Sequence, residues 1–513
     1  MADTVNTTAT EPAITYRGSV AAGSPRLAGL SGVKTVAAEP PQVLETERWD
    51  TDDLRLAAAG IELVLHRDDV TAQWRLRLPD GDDTELLRAP AVLPDVEGVD
   101  PDGPPEEFDE LLRGARRDRP LLPAGRIRTV RVTTRLLGGG DWLLAEVVQD
   151  EVTVATLGSS TSVDTWSEIG VRRAGGDDAL LDELRERVRA TGAVPAPPGA
   201  DGALDRLLQP APARRRRIGK KGSAGAVLMD YIGAQADRIA EQDLRARRDE
   251  PDAVHQLRVG ARRLRSAMQA YRPLLDRDHA RRLIAELRWL GRALAPARDA
   301  EVLRERITDR LDRTDPDLVL GPVRAQVTRH FARVEAEARA AVLAELDGER
   351  YAALRVALDE LLADPPLTRK AARPAVKELP RLAARSARRM ERAARDAFAP
   401  DSPNRDEAIH TVRKAGKRLR YATEVARPAV GAEAKRFGRG LKGMQKALGE
   451  HQDTVVVRGT LRELGSRAHA AGENGFTFGL LHGRDEAVAG RIEADLPEFW
   501  RSAWAKKNRR WLR

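Results

Sequence analysis

Hydrophobic positions alternate in short runs through the first two-fifths of the chain, then recur every three to four residues for the remainder. Residues 74–78, WRLRL, show the first pattern. An extended strand there puts Trp74, Leu76 and Leu78 on one side and Arg75 and Arg77 on the other. Residues 61–65, 127–137, 142–149, 151–157 and 167–172 read as further strands, and Asp80-Gly81 supplies a turn. Helical spacing predicts helices over 108–117 and 178–191. Antiparallel strands with few helices imply an α+β or barrel domain.

From about Ser223 onward the chain is rich in Ala, Leu, Arg and Glu with helical periodicity. Asp364-Pro365-Pro366, the Pro-bearing stretch 399–403 and Arg427-Pro428 divide it into helices of bundle length. Before it lie two Pro- and Ala-rich stretches, 194–202 and 209–213, with a short helical segment between them. The basic runs 214–217 (RRRR) and Lys220-Lys221 follow. The expected organisation is a disordered polar N-terminus at 1–12, a strand-rich domain at 13–195, a linker at 196–221 and a helical domain at 222–513.

Residues 254–268, VHQLRVGARRLRSAM, have a second use for helical spacing. On a helix His255, Arg258, Arg262 and Arg265 fall within an arc of roughly 80°, while Val254, Leu257, Ala261, Leu264 and Met268 form the adjoining apolar side. Residues 409–423, IHTVRKAGKRLRYAT, repeat the phrase, with His410, Arg413, Lys417 and Arg420 in the corresponding places. The repeat extends further. Leu287, Arg288, Arg292, Ala293, Leu294 and Asp299 reappear as Leu441, Lys442, Lys446, Ala447, Leu448 and Asp453. Two related helical bundles in tandem are expected.

Charge sharpens this picture. The net charge of +8 conceals 37 acids against 23 bases in residues 1–213, and 42 acids against 64 bases afterwards. A polyanion is drawn to the second region and weakly repelled by the first. Neither basic helix segment contains an acid, so like charges three and four residues apart destabilise each by a few tenths of a kcal/mol per pair. A bound anion would offset that repulsion, and arginine's planar fork suits phosphate oxygens. In such a groove His255 and His410 would donate to phosphate. Neither has a second His or a carboxylate three or four residues on, which argues against zinc.

Composition adds exclusions. With 42% hydrophobic residues the chain supports real cores. The absence of cysteine excludes disulfides, thiolate metal sites and cysteine catalysis. No run of eighteen apolar residues and no signal-like N-terminus occur, so a cytoplasmic protein without membrane contact is expected.

The two copies, together with ELRWLGRALAPARDAEVL and Leu448-Gly449-Glu450-His451-Gln452-Asp453, resemble the CHAD domain over about residues 220–513. The resemblance implies an all-α domain of two tandem four-helix bundles around a basic cavity that binds inorganic polyphosphate. It assigns His255, Arg258, Arg262, Arg263 and Arg265 to the polymer from the first copy. His410, Arg413, Lys414, Lys417, Arg418 and Arg420 come from the second. Arg288, Arg292, Lys442 and Lys446 are flanking candidates.

The first domain resembles the CYTH domain through residues 49–61 (WDTDDLRLAAAGI), 74–79 (WRLRLP) and 144–152 (LAEVVQDEV). That implies an antiparallel β-barrel, the triphosphate tunnel. Active tunnels open with Glu-x-Glu-x-Lys, whereas this chain has Ala13-Ile14-Thr15-Tyr16-Arg17. Glu168 is the only retained metal-ligand candidate, and residues 61–66 carry no arginine. Mg²⁺ or Mn²⁺ needs hard oxygen ligands at a phosphoryl site. The expectation is therefore a non-catalytic tunnel, with Arg75, Arg77, Arg126, Arg128 and Arg131 as its remaining bases. The whole protein is expected to bind polyphosphate at polyphosphate granules without a cofactor and without acting as an enzyme. The alternatives are a triphosphatase using Mg²⁺ or Mn²⁺ in the tunnel, and nucleic-acid binding by the basic half. Five Tyr and seven Phe leave few stacking platforms for single strands.

Overall fold

The computed structural model describes residues 14–20, 23–68, 70–80, 83–91, 103–158, 161–195, 200–208, 222–399 and 404–512. The chain splits into two compact units, Met1–Ala213 and Arg214–Arg513. The polar N-terminus 1–12, Ala13, Gly81, residues 196–199, the basic runs at 214–217 and 220–221 and the break at 400–403 lie outside the described residues.

The first unit runs β1 (Ile14–Gly18), β2 (Thr35–Ala38), β3 (Gln42–Asp50), α1 (Arg55–Ala58), β4 (Glu62–Arg67), β5 (Ala72–Asp80) and β6 (Asp83–Pro90). It continues through α2 (Glu106–Arg116), β7 (Leu122–Leu137), β8 (Leu143–Thr156), β9 (Val163–Arg173), α3 (Asp178–Arg189), β10 (Val194–Pro195) and α4 (Ala200–Leu207). The strands form one antiparallel sheet in the order β10-β1-β9-β8-β7-β3-β4-β5-β6, with β2 on the far half of β7. The two end strands, β10 and β6, do not pair with each other. Among the described residues the sheet is therefore open. This corrects the expected β-barrel: no closed tunnel forms, and the CYTH resemblance does not carry its fold to this chain.

Cross-strand register explains where the arginines of this unit go. Arg131 stands opposite Asp150, and Glu168 stands opposite Arg17. Arg131 Nη2 lies 2.8 Å from Asp150, and Arg17 Nη2 lies 2.8 Å from Glu168. Arg128 faces Glu45, Arg126 faces Glu47, and Arg77 faces Glu62 at 3.0 Å. Arg75 donates to Gln73 at 3.2 Å. Opposed charges on facing strands stabilise the sheet by roughly 0.2–1 kcal/mol per pair. Four of the five arginines named as tunnel bases are thus spent on the sheet's own carboxylates. Glu168, the retained metal candidate, is 8% exposed and also accepts from Trp166 Nε1 at 2.7 Å, so it is a structural ion-pair member.

Two helices cover the apolar parts of the sheet. Leu180, Leu184 and Val188 of α3 pack on Leu136, Val147 and Ile169. Ala203 and Leu204 of α4, with Leu208, pack on Ile127, Val154 and Trp166. Gly125 permits the second contact, because a Cβ there would lie 2.5 Å from Leu204 Cδ1. The expected pair of strands at 142–149 and 151–157 is one continuous strand, β8.

The second unit is all-α, as expected. Its helices are α5 (Ala224–Arg247), α6 (Ala253–Ala270), α7 (Arg277–Ala293), α8 (Ala295–Asp312), α9 (Val323–Asp347), α10 (Glu349–Ala363), α11 (Ala375–Ala397), α12 (Arg405–Val430), α13 (Ala432–Ala470) and α14 (Phe476–Ala503). The repeat aligns α6 with α12, and α7 plus α8 with α13. Pro296 has no N–H for the helical ladder and separates α7 from α8, whereas Glu450 at the equivalent place lets α13 run for 39 residues. The break expected at Arg427-Pro428 comes later. Pro428 sits in the last turn of α12, and the chain turns at Gly431, which has φ 77°.

The two copies do not form separate bundles. One core contains Leu257, Leu264 and Met268 together with Val412, Leu419 and Val425. A second joins Ile307, Leu311 and Phe331 to Val457, Leu461 and Phe478. Each core draws on both copies, so the tandem bundles are interleaved into one helical unit.

Candidate functional site: a basic cleft between the repeated helices

Packing sets the site. The apolar sides of α6 and α12 are buried: Leu257, Ala261 and Leu264 on one, Val412, Leu419 and Ala422 on the other. Tyr271 Oη donates to the Ala422 carbonyl at 2.6 Å, tying the end of α6 to α12. Gly260 lets α6 approach α5, since a Cβ there would meet Ile239 Cγ1 at 3.1 Å. With these seams closed, the cationic arcs of both helices turn toward one another.

Arg258, Arg262, Arg413 and Lys417 form the centre. Burial, then the charges of Arg413, Arg262 and Arg258, push the Lys417 amine down to about 7 against the opposing pull of Asp453. Burial likewise lowers Arg413, with Arg262, Arg306 and Arg258 adding to the fall and Asp453 resisting it. Arg413 Nε is buried with no hydrogen-bond acceptor. Arg262 Nε donates to Tyr421 Oη at 3.2 Å. Arg258, Arg262, Arg413 and Lys417 thus lie inside each other's field, which disfavours the protonated amine of Lys417.

The repeated carboxylates balance part of this charge. Arg258 Nη1 lies 2.8 Å from Asp299. Its equivalent, Arg413, feels the equivalent Asp453, which is bridged to Arg306 at 2.6 Å. Burial raises the Asp453 carboxyl, opposed by Arg306, Arg413 and Lys417.

A second cationic group adjoins the first. Arg265 is lowered by burial and by Arg288, Arg262 and Arg258, and Arg418 by burial and by Arg389, Arg265 and Arg288. The histidines sit at the same place in each copy. His255 is pushed down by burial and Arg298. His410, bonded through Nδ1 to Gln452, is pushed down by burial and Lys414. Positions 298 and 452 are themselves equivalent in the repeat.

Other expected residues lie elsewhere. Arg263 and Arg420 turn to a flank, each 3.7 Å from Glu424 and over the Tyr421 ring at 5.8 and 4.8 Å. Tyr231 Oη completes that flank by donating to Glu424 at 3.1 Å. Lys414, Arg292, Lys442 and Lys446 are exposed, and nothing among the described residues ties the last three to the central group. Sequence reading missed Arg306, Arg389 and Tyr421. Arg389 had a signal: Arg385, Arg389 and Arg392 follow helical spacing on α11.

The described residues gather one metal-type group, Asp406, His451 and Glu493. His451 Nε2 lies 2.9 Å from Glu493 and 3.5 Å from Asp406. Arg405 pairs with Glu493 at 3.0 Å and Arg458 approaches Asp406 at 3.7 Å. The carboxylates are already engaged by cations, which makes the group an ion-paired link between α12, α13 and α14. No described helix is long and apolar enough to cross a membrane.

Comparison with known proteins finds a family match within the helical unit. Residues 230–462 match the family model of the CHAD domain. Over 491 residues the chain is 32% identical to an uncharacterised protein of Mycobacterium tuberculosis H37Rv, covering 92% of each chain, and the same holds for the counterpart in strain CDC 1551. Among solved structures, PptA from Streptomyces chartreusis aligns with a TM-score of 0.46 and 23% identity over 54% of this chain and 99% of its own. The CHAD domain from the plant Ricinus communis aligns with a TM-score of 0.43 and 24% identity over 57% of this chain and 97% of its own. The chain belongs to the family of these full-length mycobacterial relatives, and its helical unit carries a CHAD domain.

Proposed function

We propose that the protein binds inorganic polyphosphate in the cleft between α6 and α12 and thereby associates with polyphosphate granules. CHAD membership supports a polyanion-binding surface. The observation that carries the finer reading is the gathering of Arg258 and Arg262 from one copy with Arg413 and a partly buried Lys417 from the other, which together with burial holds the Lys417 amine down to about 7. A row of phosphates supplies dense, regularly spaced negative charge that restores the protonated amine and fills the arginines' donors. Tyr421 is bonded by Arg262 and overlain by Arg420, so it offers no open ring for stacking a base. The reading is of a binding module, in which the cations hold the polymer and no step of bond cleavage is assigned.

Replacing Arg258, Arg262, Arg413 and Lys417 together with Ala tests it by fluorescence anisotropy with labelled long-chain polyphosphate. We expect affinity to fall at least about a hundredfold, roughly 3 kcal/mol, with helicity unchanged. Competition provides the second arm. Displacement of polyphosphate by tRNA or duplex DNA at equal phosphate concentration would transfer the site to nucleic acid.

A further inference from the structure

A cleft of about 720 Å³ opens beside the group formed by Arg265, Arg288 and Arg418. Six arginines line it: Arg272 from the α6–α7 connection, Arg277 at the start of α7, Arg385, Arg389 and Arg392 from α11, and Arg418 from α12. None of the six forms an ion pair among the described residues, whereas Arg281, Arg304, Arg350 and Arg381 elsewhere in the helical unit each have a carboxylate partner. Asp276 is the sole acid on its wall, and its carboxylate accepts the N–H groups of Asp278 and His279 at the start of α7. Arg385, Arg389 and Arg392 repeat at helical spacing on one side of α11 and are exposed. Like charges at that spacing destabilise the helix, and no ion pair among the described residues compensates them.

Arg418 connects this cleft to the central site. It lines the pocket and also lies in the field of Arg265 and Arg288, while Arg265 lies in the field of Arg262 and Arg258. Cations therefore run from Arg306 of α8 across α6 and α12 to Arg389 of α11.

We propose that the arginine-lined cleft between α11 and the α6–α7 connection is a second phosphate-binding subsite, which takes the next stretch of the same polyphosphate chain. This rests on the polyphosphate reading of the central site. It also assigns a length preference: chains long enough to reach α11 gain the contacts of this subsite, and tripolyphosphate held at the centre does not.

The test uses the full chain and the triple variant Arg385→Ala/Arg389→Ala/Arg392→Ala. Alanine keeps α11 helical, and circular dichroism verifies it. Affinity for long-chain polyphosphate should fall about tenfold or more, with a shallower dependence on salt, while affinity for tripolyphosphate stays unchanged. The double variant Arg388→Ala/Arg395→Ala, on the same helix but outside the cleft lining, should leave both affinities near wild type. Undiminished long-chain binding by the triple variant, or an equal loss from the double variant, overturns the second subsite. Loss of tripolyphosphate binding in the triple variant overturns the division into centre and extension. Failure of the Arg258, Arg262, Arg413 and Lys417 variant to lose affinity would instead remove the central site on which the extension depends.

Discussion

Lys417 is where the site's charge is most finely poised. The groups facing it are Arg413 on its own helix, Arg258 and Arg262 on α6, and Asp453 on α13. Its amine titrates near 7 in the free protein, and a bound polyanion raises that value. Binding above pH 7 therefore takes up a proton, and affinity should fall as pH rises from about 7 toward 9. Lys417→Arg keeps the charge throughout and should flatten that fall; an equally steep profile in the arginine variant would remove Lys417 as its source. Stability runs the other way. The unfolded chain binds this proton up to its ordinary value near 10.5, while the folded chain has lost it above about 7, so unfolding takes up a proton across that window. Ligand-free stability should rise with pH there, and Lys417→Met should abolish the rise. Urea midpoints at pH 7 and pH 9 measure it.

At the scale of elements, the site depends on the seam that holds α6 to α12. Leu264 is fully buried in the core shared by both copies. Leu264→Ala should destabilise the helical unit by about 2–5 kcal/mol, read by denaturant unfolding, and should weaken anion binding by loosening the cleft. The basic arcs of these helices were legible from spacing alone, because an unpaired cation row beside an apolar row has few other uses. The basic arc alone did not separate Arg263 and Arg420 from their neighbours. Their diversion depends on Glu424: for Arg420 the partner stands four residues on, just past the repeated segment, whereas for Arg263 a helical projection of residues 254–268 contains no information about a carboxylate on α12. Arg306 was hidden for the same reason, since its importance comes through Asp453 on a distant helix.

For the whole molecule, the outcome differs between the two units. The helical unit followed its sequence pattern closely, although the repeats share cores instead of closing separate bundles. The sheet unit kept most of its expected strands but not its expected closure. Local alternation specifies a strand and its two faces; it does not specify whether β10 meets β6. Arg126, Arg128 and Arg131 looked free as a list of bases, and only register revealed Glu47, Glu45 and Asp150 opposite them. Each unit has its own apolar cores. The fragment 222–513 should accordingly bind polyphosphate within about twofold of the full chain, and the fragment 1–208 should not bind it, as measured by anisotropy at matched salt.

The most direct measurement is the salt dependence of long-chain polyphosphate binding by the intact protein and by the Arg258, Arg262, Arg413 and Lys417 alanine variant. Each phosphate contact releases counterions and adds roughly 0.7 to the slope of log affinity against log salt, by analogy with single-stranded nucleic acid. The cleft account predicts a steep fall for the intact protein and a slope shallower by about two to three for the variant. Identical slopes and affinities for the two proteins, with helicity intact, would contradict it.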